Sequence, residues 1–435
     1  MTADILSVLS LTDVAELLIQ RKVSPVELAQ SYLDRIESVN DQVNALLFVD
    51  PEGAITEATE AQERYSRRRP LGLLDGLPIV VKDNIAVSGW PMTNGLATQR
   101  ISNADADIVI NLRRQGVVML GSANMDEGAL GAEGVNPHHG PIMNPNYPDL
   151  VTGGSSSGSA AAVAAGLCCA ALGTDTLGSV RLPAAYCGLV GFKPSHGRLS
   201  NTGIISLHPE LDAVGPITQS VADSIHLMTQ LEGWTVSVEQ FPLDRLRWGV
   251  PDSFNRAELD LTVQQSFESA CRVLSDLARP QLVTLPEWDP GVLRRSGLLL
   301  AENHAASHWT DPVNAYSVRL RSMLRYGREA TTGQLANAQR CISNTKSDLV
   351  ESFEKVDVIL MPTTPQAAFS RDTSAPVNQA DYTALANAAG CPSISIPCPT
   401  FDSSRPVGLQ LISGPGNDEK ILAWALQIEL LLAGN

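Results

Sequence analysis

The chain has 435 residues, 44% hydrophobic and 18% charged, a globular composition that excludes a disordered or fibrous protein. Lys and Arg number 31 against 47 Asp and Glu, giving a formal net charge of −16, and an isoelectric point near 4.9 argues against non-specific binding to nucleic acid or an anionic membrane. Seven cysteines without a CxxC pair read as buried thiols in a reducing compartment. The MTADILSVLS start lacks the basic region of a secretory signal, and the small-residue run 160–172 is too short for a bilayer span. The expected location is therefore the cytoplasm.

Two amphipathic helices open the chain. Thr12 and Asp13 can cap one that runs to about Arg21. Ser24-Pro25-Val26-Glu27 is a capping box with proline at the first helical position, after which Leu28, Tyr32 and Ile36 recur at helical spacing. This arm, within residues 1–65, needs a larger body to cover. From about residue 72 the pattern becomes α/β, with strand-like runs at 76–81 and 117–121 around a helical segment at 107–115. An alanine-rich helix at 160–167 precedes a strand at 168–173. The pattern is weakest over 235–350, where helices are expected near 261–278 and 335–354. Strands at 356–361 and 393–397 and an amphipathic helix at 418–432 follow.

The stretch 152–181, TGGSSSGSAAAVAAGLCCAALGTDTLGSVR, concentrates the chemistry. Gly-Gly and three serines before a small-residue helix place hydroxyls and free N–H groups at a positive helix N-terminus. About 20 residues on, 173–179 forms a second small polar turn before Arg181, and a reaction that generates an oxyanion needs converging N–H donors at such a turn. An isolated glycine–serine cluster reads as an ordinary loop. Two at this spacing, joined by an alanine-packed helix, do not.

GGSSSGSAAAVAAG and GTDTLGSVRLPAAYCG resemble the core of the amidase signature family, and GLPIVVKDNI (76–85), GSANMDEGALG (121–131), GFKPSHGRLS (191–200) and PVGLQLI (406–412) match its other motifs in order. The resemblance covers essentially the whole chain and is strongest over 72–218, the signature core of a single domain spanning 1–435, with 235–350 as the variable substrate-pocket region. It implies an α/β fold, a large twisted mixed sheet between helical layers with the N-terminal helices wrapped around it. It also implies a Ser–cis-Ser–Lys triad, with Lys82 as base, Ser155 as bridging serine on a cis Gly154–Ser155 bond, and Ser179 as nucleophile. The chemistry is coherent by itself, because a neutral lysine can take a serine's proton without a histidine. Bringing a lysine from about 10.4 to about 7–8 takes roughly 3 pH units, about 4 kcal/mol, against the charged form, which burial can supply.

The resemblance further places the oxyanion hole in the backbone N–H groups of Thr176, Leu177, Gly178 and Ser179, with Gly154, Ser156, Asp175 and Arg181 in support. Leu177 stands where many members have glycine, so its side chain either narrows the acyl pocket or demands different backbone dihedrals.

Rival motifs carry less. Residues 154–158 also fit the GxSxG elbow with Ser156 as nucleophile, but the preceding 144–149 is turn chemistry rather than a strand, and no histidine follows His308. His304 and His308 lack the glutamate of a zinc-protease helix, since Ala305 occupies its place. Ser343-Asn-Thr-Lys346 fits SxxK without companion motifs and reads as a solvated face, while Cys168 and Cys187 read as packing residues.

The sequence thus predicts hydrolysis of a carboxamide C–N bond in a small amide or urea-type substrate, with no metal or organic cofactor, no direct nucleic-acid or membrane partner, and compatibility with a homo-oligomer or a small partner subunit. A stand-alone small-amide hydrolase of the biuret or allophanate type is favoured over the glutamine-hydrolysing A subunit of a tRNA-dependent amidotransferase. The chain is shorter than such amidotransferase chains usually are, and GGSSSGS also occurs in allophanate hydrolases. A non-catalytic scaffold is the third reading. The intact Lys82, Ser155 and Ser179 oppose it.

Overall fold

A strand covered by helices on both faces needs apolar side chains on both, and Pro78–Lys82, Val118–Ala123 and Ala170–Asp175 are buried at every position. The computed structural model describes residues 9–252, 254, 258–400 and 405–434, so most of the MTADILSVLS reading lies outside the described residues. Eleven described strands form one sheet. In chain order they are β1 (Leu46–Val49), β2 (Pro78–Lys82), β3 (Val118–Ala123), β4 (Ala170–Asp175), β5 (Val190–Lys193), β6 (Ala213–Thr218), β7 (Trp248–Pro251), β8 (Gln281–Val283), β9 (Val358–Pro362), β10 (Ser393–Cys398) and β11 (Val407–Ser413). Across the sheet they run β1-β3-β2-β4-β6-β5-β10-β11-β9-β7-β8. β2 is parallel to β3 and β4, the middle from β4 to β9 is antiparallel, and β9, β7 and β8 are parallel again, so the sheet is mixed as expected.

Helices cover the sheet, and residues from the N-terminal helices, the strands and the C-terminal helix Asp418–Ala433 share one apolar cluster. Ser24 caps Pro25–Val43 in a capping box with Glu27. The helix before it departs from expectation. Ser10 caps it through Asp13, giving Leu11–Ile19, while Thr12 turns inward to hydrogen-bond Asp223. The stretch 1–65 is also not purely helical. Asn44 ends its helix in the left-handed region, and Leu46–Val49 then pairs antiparallel with β3 as the sheet's edge. In the weakly patterned middle, Pro290–His308 and Val318–Glu329 are helices the periodicity did not reveal. Among the described residues no helix is long and apolar enough to cross a membrane. All seven cysteines are free, and Cys168 and Cys187 are buried in the core.

Candidate active site

Because β2, β3 and β4 are parallel, the residues at their carboxyl ends gather at one edge of the sheet: Lys82, then 124–126, then 175–179. The helix Ser157–Ala164 lies close against that edge because it is built from small residues. A Cβ at Gly158 would lie 2.3 Å from the Asn124 carbonyl oxygen and 2.4 Å from that of Ala45. The turn before this helix carries a cis peptide bond between Gly154 and Ser155.

Lys82 is fully buried, and its Nζ lies 2.7 Å from Ser155 Oγ, 3.0 Å from Thr174 Oγ1 and 3.4 Å from the Thr174 carbonyl. Burial pulls its pKa down to about 7, against the opposing pull of the Asp126, Asp175 and Asp212 carboxylates. Asp126, also buried, is pushed up to about 6 by burial, although it accepts hydrogen bonds from the N–H groups of Glu133, Gly134 and Val135 and from Ser157 Oγ.

The second turn is held by a buried ion pair. Arg181 Nε and a terminal nitrogen grip the Asp175 carboxylate at 3.0 and 2.9 Å, and the terminal nitrogens also reach Gln410 and Asn387 at 2.6 Å. Burial alone would raise the Asp175 pKa, but the Arg181 guanidinium outweighs it and holds the carboxyl at about 2. Asp175 also accepts from the N–H groups of Gly178 at 2.7 Å and Val180 at 3.1 Å. The Gly178 N–H, expected among the oxyanion donors, donates to Asp175 in this structure. The N–H groups of Thr176, Leu177 and Ser179 have no acceptor among the described residues. Gly178 has φ 126°, and a Cβ there would lie 2.1 Å from Thr383 Oγ1, so only glycine fits. Leu177, by contrast, keeps an ordinary negative φ.

Ser179 is partly exposed and lines a cavity of about 330 Å³ together with Gly154, Thr176, Leu177 and Gly178. Its carbonyl accepts the Ser156 N–H at 3.1 Å, which ties the two turns together, while no hydrogen bond joins the Ser155 and Ser179 hydroxyls. Lys82 and Ser155 are thus in contact, and Ser179, whose carbonyl is tied to the residue after Ser155, lines the cavity. Ser156 is buried, with its hydroxyl between the N–H and C=O of Thr174, which removes it from the elbow role. Arg181 and Asp175 brace the loop through the contacts above.

The sequence reading missed Thr174, Asp126, Asn387 and Gln410. Thr174 and Asp126 lay inside the quoted GTDT and NMDE segments. Gln410 lay inside the quoted PVGLQLI segment, but it and Asn387 are more than 200 residues from Arg181, so their contact with it was not legible from local patterning. The far cavity wall comes from the middle region, with Arg294, Leu298, Ala301, Arg319 and Met323. Arg294 pairs with Asp381 at 2.6 Å, and Arg319 sits 3.6 Å from Glu133. His304 and His308 stack on one another at 4.0 Å, and no metal-holding cluster occurs among the described residues. Ser343 and Lys346 are exposed on Thr332–Ser352.

Residues 27–422 match the Amidase family. The A subunit of the glutamyl-tRNA(Gln) amidotransferase of Alkaliphilus metalliredigens is 31% identical over 97% of this chain and 96% of its own. A crystal structure of an amidase superposes with a TM-score of 0.88 at 32% identity, covering 98% of this chain and all of that one. A chain of a vestigial protein complex that reveals the evolutionary origins of an s-triazine catabolic enzyme gives a TM-score of 0.89 at 26% identity over 98% of both chains. The chain therefore belongs to the amidase signature family and is an amidase-type enzyme acting on carbon–nitrogen bonds.

Proposed function

We propose that Lys82, Ser155 and Ser179 act as base, proton bridge and nucleophile in an acyl-transfer hydrolysis. The observation that carries this is the 2.7 Å contact between a fully buried lysine amine and Ser155, in surroundings that keep the amine largely neutral above pH 7. Ser179 Oγ attacks the amide carbonyl carbon, its proton passing to Ser155 Oγ as Ser155 gives its own to Lys82. The oxyanion is received by the free N–H groups of Thr176, Leu177 and Ser179. The C–N bond then breaks, nitrogen leaves with the proton returned through Ser155, and water cleaves the ester to release the acid and restore Ser179. In this scheme Asp175 and Arg181 fix the turn, and the residues of 235–350 that face the cavity form the substrate wall.

For the amide itself, the amidotransferase chains among the relatives favour glutamine over the free-standing small-amide substrate preferred from the sequence. The Arg294–Asp381 and Arg319–Glu133 pairs support this, since a guanidinium beside a carboxylate suits a substrate bearing both an α-carboxylate and an α-ammonium. A small-amide hydrolase is the second reading, favoured by TM-scores of 0.88 and 0.89 with an amidase and with a chain of the vestigial complex tied to the origins of an s-triazine catabolic enzyme, at nearly full coverage of each chain. Either reading allows a partner protein. The test is ammonia release from glutamine and from a panel of small amides and ureas, with Ser179→Ala as blank. Release from glutamine, stimulated by a co-purifying partner, supports the first reading. Release from a small amide by the chain alone, with glutamine inert, overturns it in favour of the second.

A further inference from the structure

The Leu177 side chain lies on the cavity wall and is directed onto the helix Pro290–His308, where Gly297 faces it. A Cβ at Gly297 would lie 2.7 Å from one Leu177 methyl carbon, with the other at 3.4 Å and Cγ at 3.6 Å. Glycine weakens a helix interior, and here the missing side chain is the space the leucine occupies. The rest of Leu177 is fixed independently of that side chain, because its carbonyl accepts from Thr383 Oγ1 and the next residue's N–H is held by Asp175. The backbone that aims the N–H donors therefore stays in place when the Leu177 side chain changes.

We propose that Leu177, seated against Gly297, is the specificity-determining wedge that sets how long an acyl group the cavity accepts. Truncating the leucine opens the cavity toward Gly297 and lengthens it. Adding a methyl at Gly297 pushes the leucine back into the cavity and shortens it. The two changes thus act on one dimension with opposite sign, which a merely structural role for either residue does not produce. The proposal rests on Ser179 being the nucleophile, and the test separates the two claims.

The probes are alkyl fluorophosphonates from methyl to hexyl, with labelling rate constants measured for wild type, Leu177→Ala, Gly297→Ala and the double variant. Labelling lost in Ser179→Ala secures the nucleophile. Labelling that survives there overturns the underlying reading itself. Given the first result, the hexyl-to-methyl rate ratio is expected to rise by about tenfold or more in Leu177→Ala, each accommodated methylene contributing roughly fourfold. In Gly297→Ala the ratio is expected to fall. In the double variant the alanine at 297 should leave the Leu177→Ala ratio nearly unchanged, because its collision partner is gone. Ratios that stay at the wild-type value in both single variants, with near-UV circular dichroism intact, overturn the wedge, as does a shift of the same sign in both. A misfolded Leu177→Ala leaves Gly297→Ala as the deciding variant, and an unmoved ratio there refutes the proposal.

Discussion

In the proposed mechanism the Lys82 amine can serve as base because its surroundings lower its pKa to about 7, and those surroundings are two opposed contributions. Burial favours the neutral amine. The carboxylates of Asp126, Asp175 and Asp212 favour the charged one, and Asp126 is the strongest of the three. In Asp126→Asn the amine loses a negative neighbour, so its pKa falls further and the acidic limb of kcat/KM should move to lower pH, by about one unit or less. The pH dependence of ammonia release measures this, and a limb that moves upward contradicts it. At Asp175 the sign is reversed. Its carboxyl is held below the ordinary value, so its contribution is complete above about pH 4 and is lost as pH falls toward 2. Arg181→Met leaves that carboxylate buried and alone and should cost about 3–5 kcal/mol in urea unfolding at pH 7.

The elements show what local patterning reveals and what it does not. Capping chemistry gave the start of Pro25–Val43, and the continuous apolar runs gave β2, β3, β9 and β10, because a strand buried on both faces leaves a plain hydrophobic signature. The family resemblance implied that Lys82, Ser155 and Ser179 come together, and the parallel strands β2 and β4 bring Lys82 and the turn after Asp175 to one edge. The edge strand Leu46–Val49 was hidden because four residues carry no periodicity. The helices Pro290–His308 and Val318–Glu329 were hidden although Asp289 and Ser317 cap them, since their faces meet a cavity and one another as well as the core. The use of the Gly178 N–H by Asp175 could not be read at all, being a matter of turn geometry. At this scale the close seat of Ser157–Ala164 is testable. Gly158→Ala drives a methyl into the Asn124 and Ala45 carbonyls and should destabilise the fold by about 1–3 kcal/mol, read as a lowered urea midpoint at unchanged slope. A midpoint at or above the wild-type value contradicts that packing.

For the whole molecule, a net charge of −16 sets what the chain can do alone. If it serves a tRNA-dependent reaction, the nucleic acid must be held by a partner, because the phosphate backbone is repelled by the summed charge. Fluorescence anisotropy with total tRNA at physiological salt should therefore show no binding by the isolated chain at micromolar concentrations. Tight binding by the chain alone would contradict this. The same experiment with a co-purified partner present bears on the glutamine reading.

The proton route from Ser179 through Ser155 to Lys82 is tested most directly by the rate of fluorophosphonate labelling as a function of pH in wild type and Lys82→Ala. The wild-type rate should climb tenfold per pH unit below a limb near pH 7 and level off above it. Lys82→Ala, folded as judged by circular dichroism, should label at least about a hundredfold more slowly and lose that limb. A variant that keeps both the wild-type rate and the limb near pH 7 would show that another group takes the proton.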